Sequence, residues 1–328
     1  MAVSLRILVA LVVLAPTAAC GSQPVPGGQA APLVLERSIS LKGVRGRIDH
    51  LAIDLQHRRL FVAELGNGSV EAIDLARGVS LGKITGLKEP QGLAYLPAQD
   101  ELAVASGGDG SVRFYRAGDL KPDGVMEVGG DADNMRVDAS GRVVGGYGSG
   151  ALAVVDPVSR KVVAKLDLPA HPESFRIEGG KVFVNLPDAK QIAVGDLASG
   201  RITATWPAAH LWNFPMALDA ESRTLAIVYR LPARLQLLDA ASGVVKLDQK
   251  TCSDADDVFF DASRHRVYVT CGEGTVAVVD LAHPGQSVSV ATRSGARTGL
   301  FVPEMDRLFV AARAGGEDAA VLVYRAQP

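Results

Sequence analysis

An all-β fold is predicted, a seven-bladed β-propeller of four-stranded antiparallel blades closed by an N-terminal outer strand in the last blade. Three observations predict it: a repeat of constant period, the strand chemistry inside each repeat, and a count that closes on itself. The first apolar residues of the LAID-like segments are Leu51, Leu93, Met135, Phe175, Met216, Val258 and Leu300, spaced by 42, 42, 40, 41, 42 and 42 residues. A fixed period of about forty residues marks a repeat architecture.

Each repeat holds short runs rich in Val, Ile and Leu. In the first copy these are LAID from Leu51, LFVAE from Leu60 and VEAID from Val70, with a weaker fourth run, LGKIT, from Leu81. Gly, Asp, Asn and Ser separate the runs, and turns such as Asn67-Gly68, Asp109-Gly110 and Gly179-Gly180 supply the positive φ that tight hairpins need. Four antiparallel strands per period make one propeller blade. The last copy has only three runs before the chain ends. The segment LVLERSISL, residues 33–41, lies before the first repeat and has no hairpin partner of its own. It is therefore assigned as the outer strand of the seventh blade, which joins the chain ends and removes an open sheet edge.

Before the ring, residues 1–19 resemble an export signal of the lipoprotein type, with Arg6 ahead of a short apolar core and small residues after it. That core is too short to span a bilayer. Cys20 is the expected lipidation site. Thr17 stands where a lipobox usually has Leu, and Thr-Ala-Ala also suits an ordinary signal peptidase. Residues 20–32 form a Gly/Pro tether, and residues 33–328 form the propeller. The expected location is the periplasm or the outer membrane, with the lipid as the only membrane contact. An oxidising compartment favours a Cys252–Cys271 disulfide over two free thiols or a metal pair. A net charge of −2 with no long basic run excludes bulk attraction to nucleic acid. A monomer is expected.

Functional groups of a propeller gather on the face where the innermost strands begin. The blade-to-blade connections place Asp49, His50, Asp133, Asn134, Glu173, Asn213, Asp256 and Arg297 there. The loops between second and third strands add Glu64, Tyr147, Asn185, Tyr229, Arg230 and Arg313. These fourteen are the candidate ligand-binding residues. Glu64, Asp133, Asn134, Glu173, Asn213 and Asp256 form an oxygen-rich set that could take a divalent cation of the Ca or Mg type; no other cofactor is expected. Asp49, Asp133 and Asp256 are more simply read as structural, bonding backbone N–H groups of the adjoining blade. The aspartates that end third strands (Asp74, Asp156, Asp196, Asp239 and Asp280) are read as turn formers. No catalytic residue is assigned, because no G-x-S-x-G, H-E-x-x-H, P-loop or C-x-x-C-H motif occurs.

The segments VYVTCGEGTVAVVDL at 267–281 and LFVAELGNGSVEAIDLARG at 60–78 resemble the repeat of the YVTN-type β-propellers, the YncE-like exported proteins of bacteria. The resemblance covers residues 33–328. It implies a seven-bladed ring and a non-enzymatic binding or scaffold role in the envelope, toward a protein, peptide or small ligand. The Asn of that repeat is replaced here by Cys271, Glu64, Tyr147 and Tyr229. The alternative is a divalent-metal-dependent lactonase or hydrolase resembling the gluconolactonase-type propellers, which are typically six-bladed.

Overall fold

The computed structural model describes residues 31–328. The export segment, Cys20 and the tether up to residue 30 lie outside the described residues. Seven four-stranded antiparallel sheets form the ring, each with its strands in chain order except the last. The seventh sheet is built from Thr298–Val302, Arg307–Ala312, Ala320–Ala326 and, as its outer strand, Leu33–Ser40. Leu33 pairs with Ala326 and Ser40 with Ala320. The ring is thus closed by hydrogen bonds between its two ends, as the orphan N-terminal segment required. No helix among the described residues is long and apolar enough to cross a membrane.

The first strands of the seven blades are Leu51–Asp54, Pro90–Leu96, Met135–Val137, Phe175–Glu178, Leu211–Asp219, Ala255–Asp261 and Thr298–Val302. They meet one another round the central axis. Side chains alternate across a strand, and because each sheet stands radially, its two faces look toward the two neighbouring blades. The core is accordingly divided into seven apolar clusters, one in each seam between blades. Between blades 7 and 1, for example, Leu60, Val62 and Ile73 pack against Phe309, Val321 and Val323.

The third-strand aspartates act as turn formers. Asp74 accepts a hydrogen bond from Arg77 N at 2.9 Å, Asp156 from Ser159 N at 2.6 Å, Asp196 from Ser199 N at 2.6 Å, Asp239 from Ser242 N at 3.0 Å and Asp280 from Ala282 N at 2.8 Å. Cys252 and Cys271 are bonded, with Cα atoms 5.9 Å apart, and tie the connection into blade 6 to the end of its second strand. On the face away from the first-strand starts, arginines link neighbouring blades: Arg59 holds Asp54 of its own blade at 2.6 Å and Asp100 of the next at 2.5 Å. Arg160 reaches back to Glu101 at 2.6 Å, and Arg264 forward to Asp306 at 2.7 Å.

Candidate functional site at the channel mouth

Six of the chain segments that enter the first strands bring a residue to the channel mouth, Asp49, Asp133, Glu173, Phe214, Asp256 and Thr298, while the amide of the matching Gln91 lies against Gly107 of its own blade. Bulges help to aim them. Pairing shifts between Pro90 and Leu93, between Asn213 and Met216, and between Ala255 and Asp257. An extra residue in one strand bends it and redirects a side chain. Two places earlier, Glu89, Asp131, Trp212 and Asp254 all take left-handed backbone angles, with φ of 52°, 56°, 61° and 56°. This shared kink swings the chain from an outer strand back to the axis.

The ring is polarised. From blade 5 through blade 7 to blade 1 it is ion-paired, with Arg230, Arg297 and Arg47 set against Asp254, Asp256 and Asp49. Arg230 Nη2 donates to Asp256 Oδ1, and Arg297 Nε lies 3.3 Å from Asp256 Oδ2. Arg230 also donates to Ala255 O at 2.7 Å and lies over the Phe214 ring at 4.2 Å. Thr298 Oγ1 donates to Asp256 Oδ2 at 3.1 Å. Burial raises the Asp256 carboxyl, but Arg297, Arg230, Arg47 and His50 outweigh it and hold the group below its ordinary value.

From blade 1 to blade 4 the ring is acidic and short of partners. His50 Nε2 lies 3.7 Å from Asp49 Oδ1 and 3.9 Å from Asp133 Oδ1, too far for a hydrogen bond to either. Arg47 Nη2 is 2.7 Å from Asp49 Oδ2 but off-line for a hydrogen bond. Asp133 Oδ1 and Asn134 Oδ1 are buried with no protein partner. Burial pushes the Asp133 carboxyl up to about 7; His50 pulls it down, and Asp49 and Glu173 push it further up. Glu173 is likewise raised, by burial first and by Asp256, against His171, Arg230 and Arg47.

Below this ring lies a second tier. Arg136 and Arg176 stand at the positions occupied by Ala52, Ala94 and Ala217 in other blades. Arg136 donates to Met135 O at 2.6 Å and Arg176 to Phe175 O at 2.8 Å. Asp257 accepts from Gly299 N at 2.9 Å. Burial pushes Asp257 up to about 7, with Asp256 adding and the Gly299 bond, Arg136 and Arg176 opposing. Burial lowers both Arg136 and Arg176. The backbone bond to the next blade, expected of Asp256, is therefore made by its neighbour Asp257.

Of the fourteen candidates, Asp49, His50, Asp133, Glu173, Arg230, Asp256 and Arg297 gather at the mouth, Asn134 follows Asp133 in the chain with its Oδ1 buried, and Arg313 lies in a pocket beside the mouth. The other five do not reach it. Glu64 is fully buried, accepts from Ser69 Oγ at 2.5 Å and pairs with Lys83 at 3.0 Å. Asn185 Nδ2 donates to Phe214 O and Pro215 O, both at 3.1 Å, stitching blade 4 to blade 5. Asn213 Nδ2 donates to Asn185 Oδ1 and Gln191 O, both at 3.2 Å. Tyr229 is fully buried and donates to Gln236 Oε1 at 3.0 Å. Tyr147 packs against Gly129 in the core between blades 2 and 3. Two further histidines stay off the axis: His210 holds Asp248 at 3.0 Å, and His171 contacts Gly148 O at 2.7 Å. Arg136 and Arg176 are absent from the sequence-derived set, although the other five repeats carry only Ala or Phe at this position, and an arginine there is the signal that finds them.

The proposed cation set does not converge either. Among the described residues, the one group of three acids or histidines with ligand atoms within 4.8 Å is Asp54, His57 and Asp100, on the opposite face. Arg59 already lies among those three and supplies the positive charge.

These features define a β-propeller with a polar, charge-divided mouth. No family model matches the chain, and no curated protein does. Many solved structures share its fold. Hydrazine synthase of Kuenenia stuttgartiensis aligns at a TM-score of 0.76 and 15% identity, over 88% of this chain and 99% of that one. A chain in the crystal structure of the mitotic checkpoint complex aligns at 0.77 and 14%, over 98% and 99%. At such identities the likeness is one of fold.

Proposed function

We propose that the chain is a non-enzymatic binding module of the cell envelope, akin to the YVTN-type propellers, which presents its channel mouth to a protein, peptide or small ligand. The observation that supports this most is the acidic half of the ring. Asp133 Oδ1 and Asn134 Oδ1 are buried without a protein partner, on a frame braced by seven apolar seams. Leaving such groups unmet costs free energy, which a ligand recovers when it supplies the missing bonds. The Cys252–Cys271 bond supports an oxidising compartment, and with it export by residues 1–19 and lipid anchoring at Cys20.

A photo-crosslinking residue at Arg45, exposed in the connection that enters blade 1, tests this in intact cells against one at Val163, an exposed outer-strand position. Discrete adducts from 45 and none from 163 are expected. Adducts from 163 alone would move the contact to the side of the ring. The hydrolase alternative has less support, since its six candidate ligands do not converge. Metal analysis of protein purified without chelator, with thermal melts plus and minus EDTA, separates the two: a stoichiometric ion and a chelator-sensitive melt would favour the hydrolase.

A further inference from the structure

Beside the mouth, at the junction of blades 6, 7 and 1, Arg47, Ile48, Asp254, Arg297, Ala311 and Arg313 line a pocket of about 100 Å³. That is room for more than one water. Its floor is apolar: Ile48 is 6% exposed and Ala311 3%. Its walls carry three guanidinium groups. Arg297 is committed, with Nη1 on Asp254 Oδ1 at 2.7 Å. Arg47 faces Asp49 but remains half exposed. Arg313 has no carboxylate or carbonyl acceptor among the described residues. The residue is exposed. It lies over Gly295, where a Cβ would come within 2.2 Å of its Nε, and that glycine has a φ of +80°. Arg293, on the outer side, is already paired with Glu317 at 2.7 Å and Asp318 O at 2.9 Å.

Counting charges decides the ligand class. Arg47, Arg293 and Arg297 each already face a carboxylate, and Arg313 alone is left over. One spare guanidinium beside an apolar floor suits a monoanion with a carbon stem better than a doubly charged inorganic ion. A guanidinium also binds a carboxylate through two parallel N–H···O bonds. We propose that this pocket binds the carboxylate of a small organic ligand, with Arg313 supplying the fork and Arg47 a second contact while the rest of the ligand crosses the mouth. This rests on the channel mouth being the binding face.

The test titrates purified protein with butyrate, butylamine and inorganic phosphate, followed by amide NMR, and repeats the titrations on Arg313→Ala and Arg313→Lys. Thermal melts check that both variants fold. Saturable butyrate binding that moves the Ile48 and Ala311 signals is expected, weakened at least tenfold in Arg313→Ala and also weakened in Arg313→Lys, which lacks the fork. Butyrate binding equally well to Arg313→Ala would overturn the assignment. So would phosphate displacing butyrate as the preferred ligand, or no butyrate binding at all. If crosslinking from position 45 succeeds while butyrate fails, the mouth remains the binding face and only the carboxylate assignment falls.

Discussion

Asp133 and Asp256 occupy the same ring position in different blades, yet their carboxyls move in opposite directions. The difference is the company each keeps. Asp256 has Arg230 and Arg297 against it, whereas Asp133 has no arginine, only His50 at 3.9 Å and the weaker pull of His171. The consequence for stability follows from linkage. Asp133 and Asp257 are pushed up to about 7 in the folded state from an ordinary 3.8. Between those values the folded chain keeps protons that the unfolded chain has lost. Their contribution is full below about pH 4 and is lost as pH rises through 7. Urea midpoints at pH 5 and pH 8 should therefore differ less in Asp133→Asn than in the native protein. Asp256 behaves in the opposite sense, contributing above its unfolded value and losing that on acidification. Arg297→Ala removes one of its two cationic partners. It should cost about 2 kcal/mol in equilibrium unfolding, the scale of a hydrogen bond to a charged group. A variant as stable as the native protein would show that Arg230 alone suffices.

At the scale of the element, strand parity decides what a side chain can do. Glu64 was placed at the mouth because it ends a second strand. It shares a side of that strand with Val62, which belongs to the seam between blades 7 and 1, so its carboxylate turns toward Ser69 and Lys83. Tyr229 and Arg230 are adjacent and therefore point opposite ways: the tyrosine into the seam with blade 4, the arginine to Asp256 of blade 6. Such orientations were not legible from position in the repeat, because a radial sheet has no face toward the axis. The turn aspartates were legible, because their bonds close within three residues. The Cys252–Cys271 bond was also anticipated, and it closes a short loop. Replacing both cysteines with Ser should lower unfolding free energy by about 3 kcal/mol, with the difference vanishing when both proteins are melted in reductant. Gly92 has a different element-scale role. A Cβ there would come within 1.9 Å of Asp133 O, so Gly92→Ala must force the first strands of blades 2 and 3 apart. A loss of at least about 2 kcal/mol is expected from such overpacking, with a shifted Asp133 titration as its local signature.

For the whole molecule, the seam between blades 7 and 1 is where closure is decided. It contains Ile39 and Leu41 from the N-terminal segment together with Phe309 and Val321 from the last blade. Arg307 and Arg325 both reach Glu36 across the same sheet, at 2.6 and 3.3 Å. Deleting residues 31–41 would leave the 320–326 strand as an open edge and strip that seam of apolar cover. Such a chain should aggregate or elute at a larger apparent size than the full protein. A monomeric, cooperatively melting truncation would show that the six other seams hold the ring alone.

The number of blades, the strand pattern inside each and the closing strand can be read from the amino acids alone. All of these are periodic or local, and hydrophobic alternation with turn chemistry specifies them without reference to distant residues. Only the tertiary structure decided which polar residues meet. Arg230 and Asp256 are twenty-six residues apart, and His50 and Asp133 lie in different blades. Their encounter depends on bulges, on the parity of each strand and on the radial stacking that brings seven separate connections to one axis. The division of the mouth, ion-paired on one side and short of partners on the other, arises from that convergence.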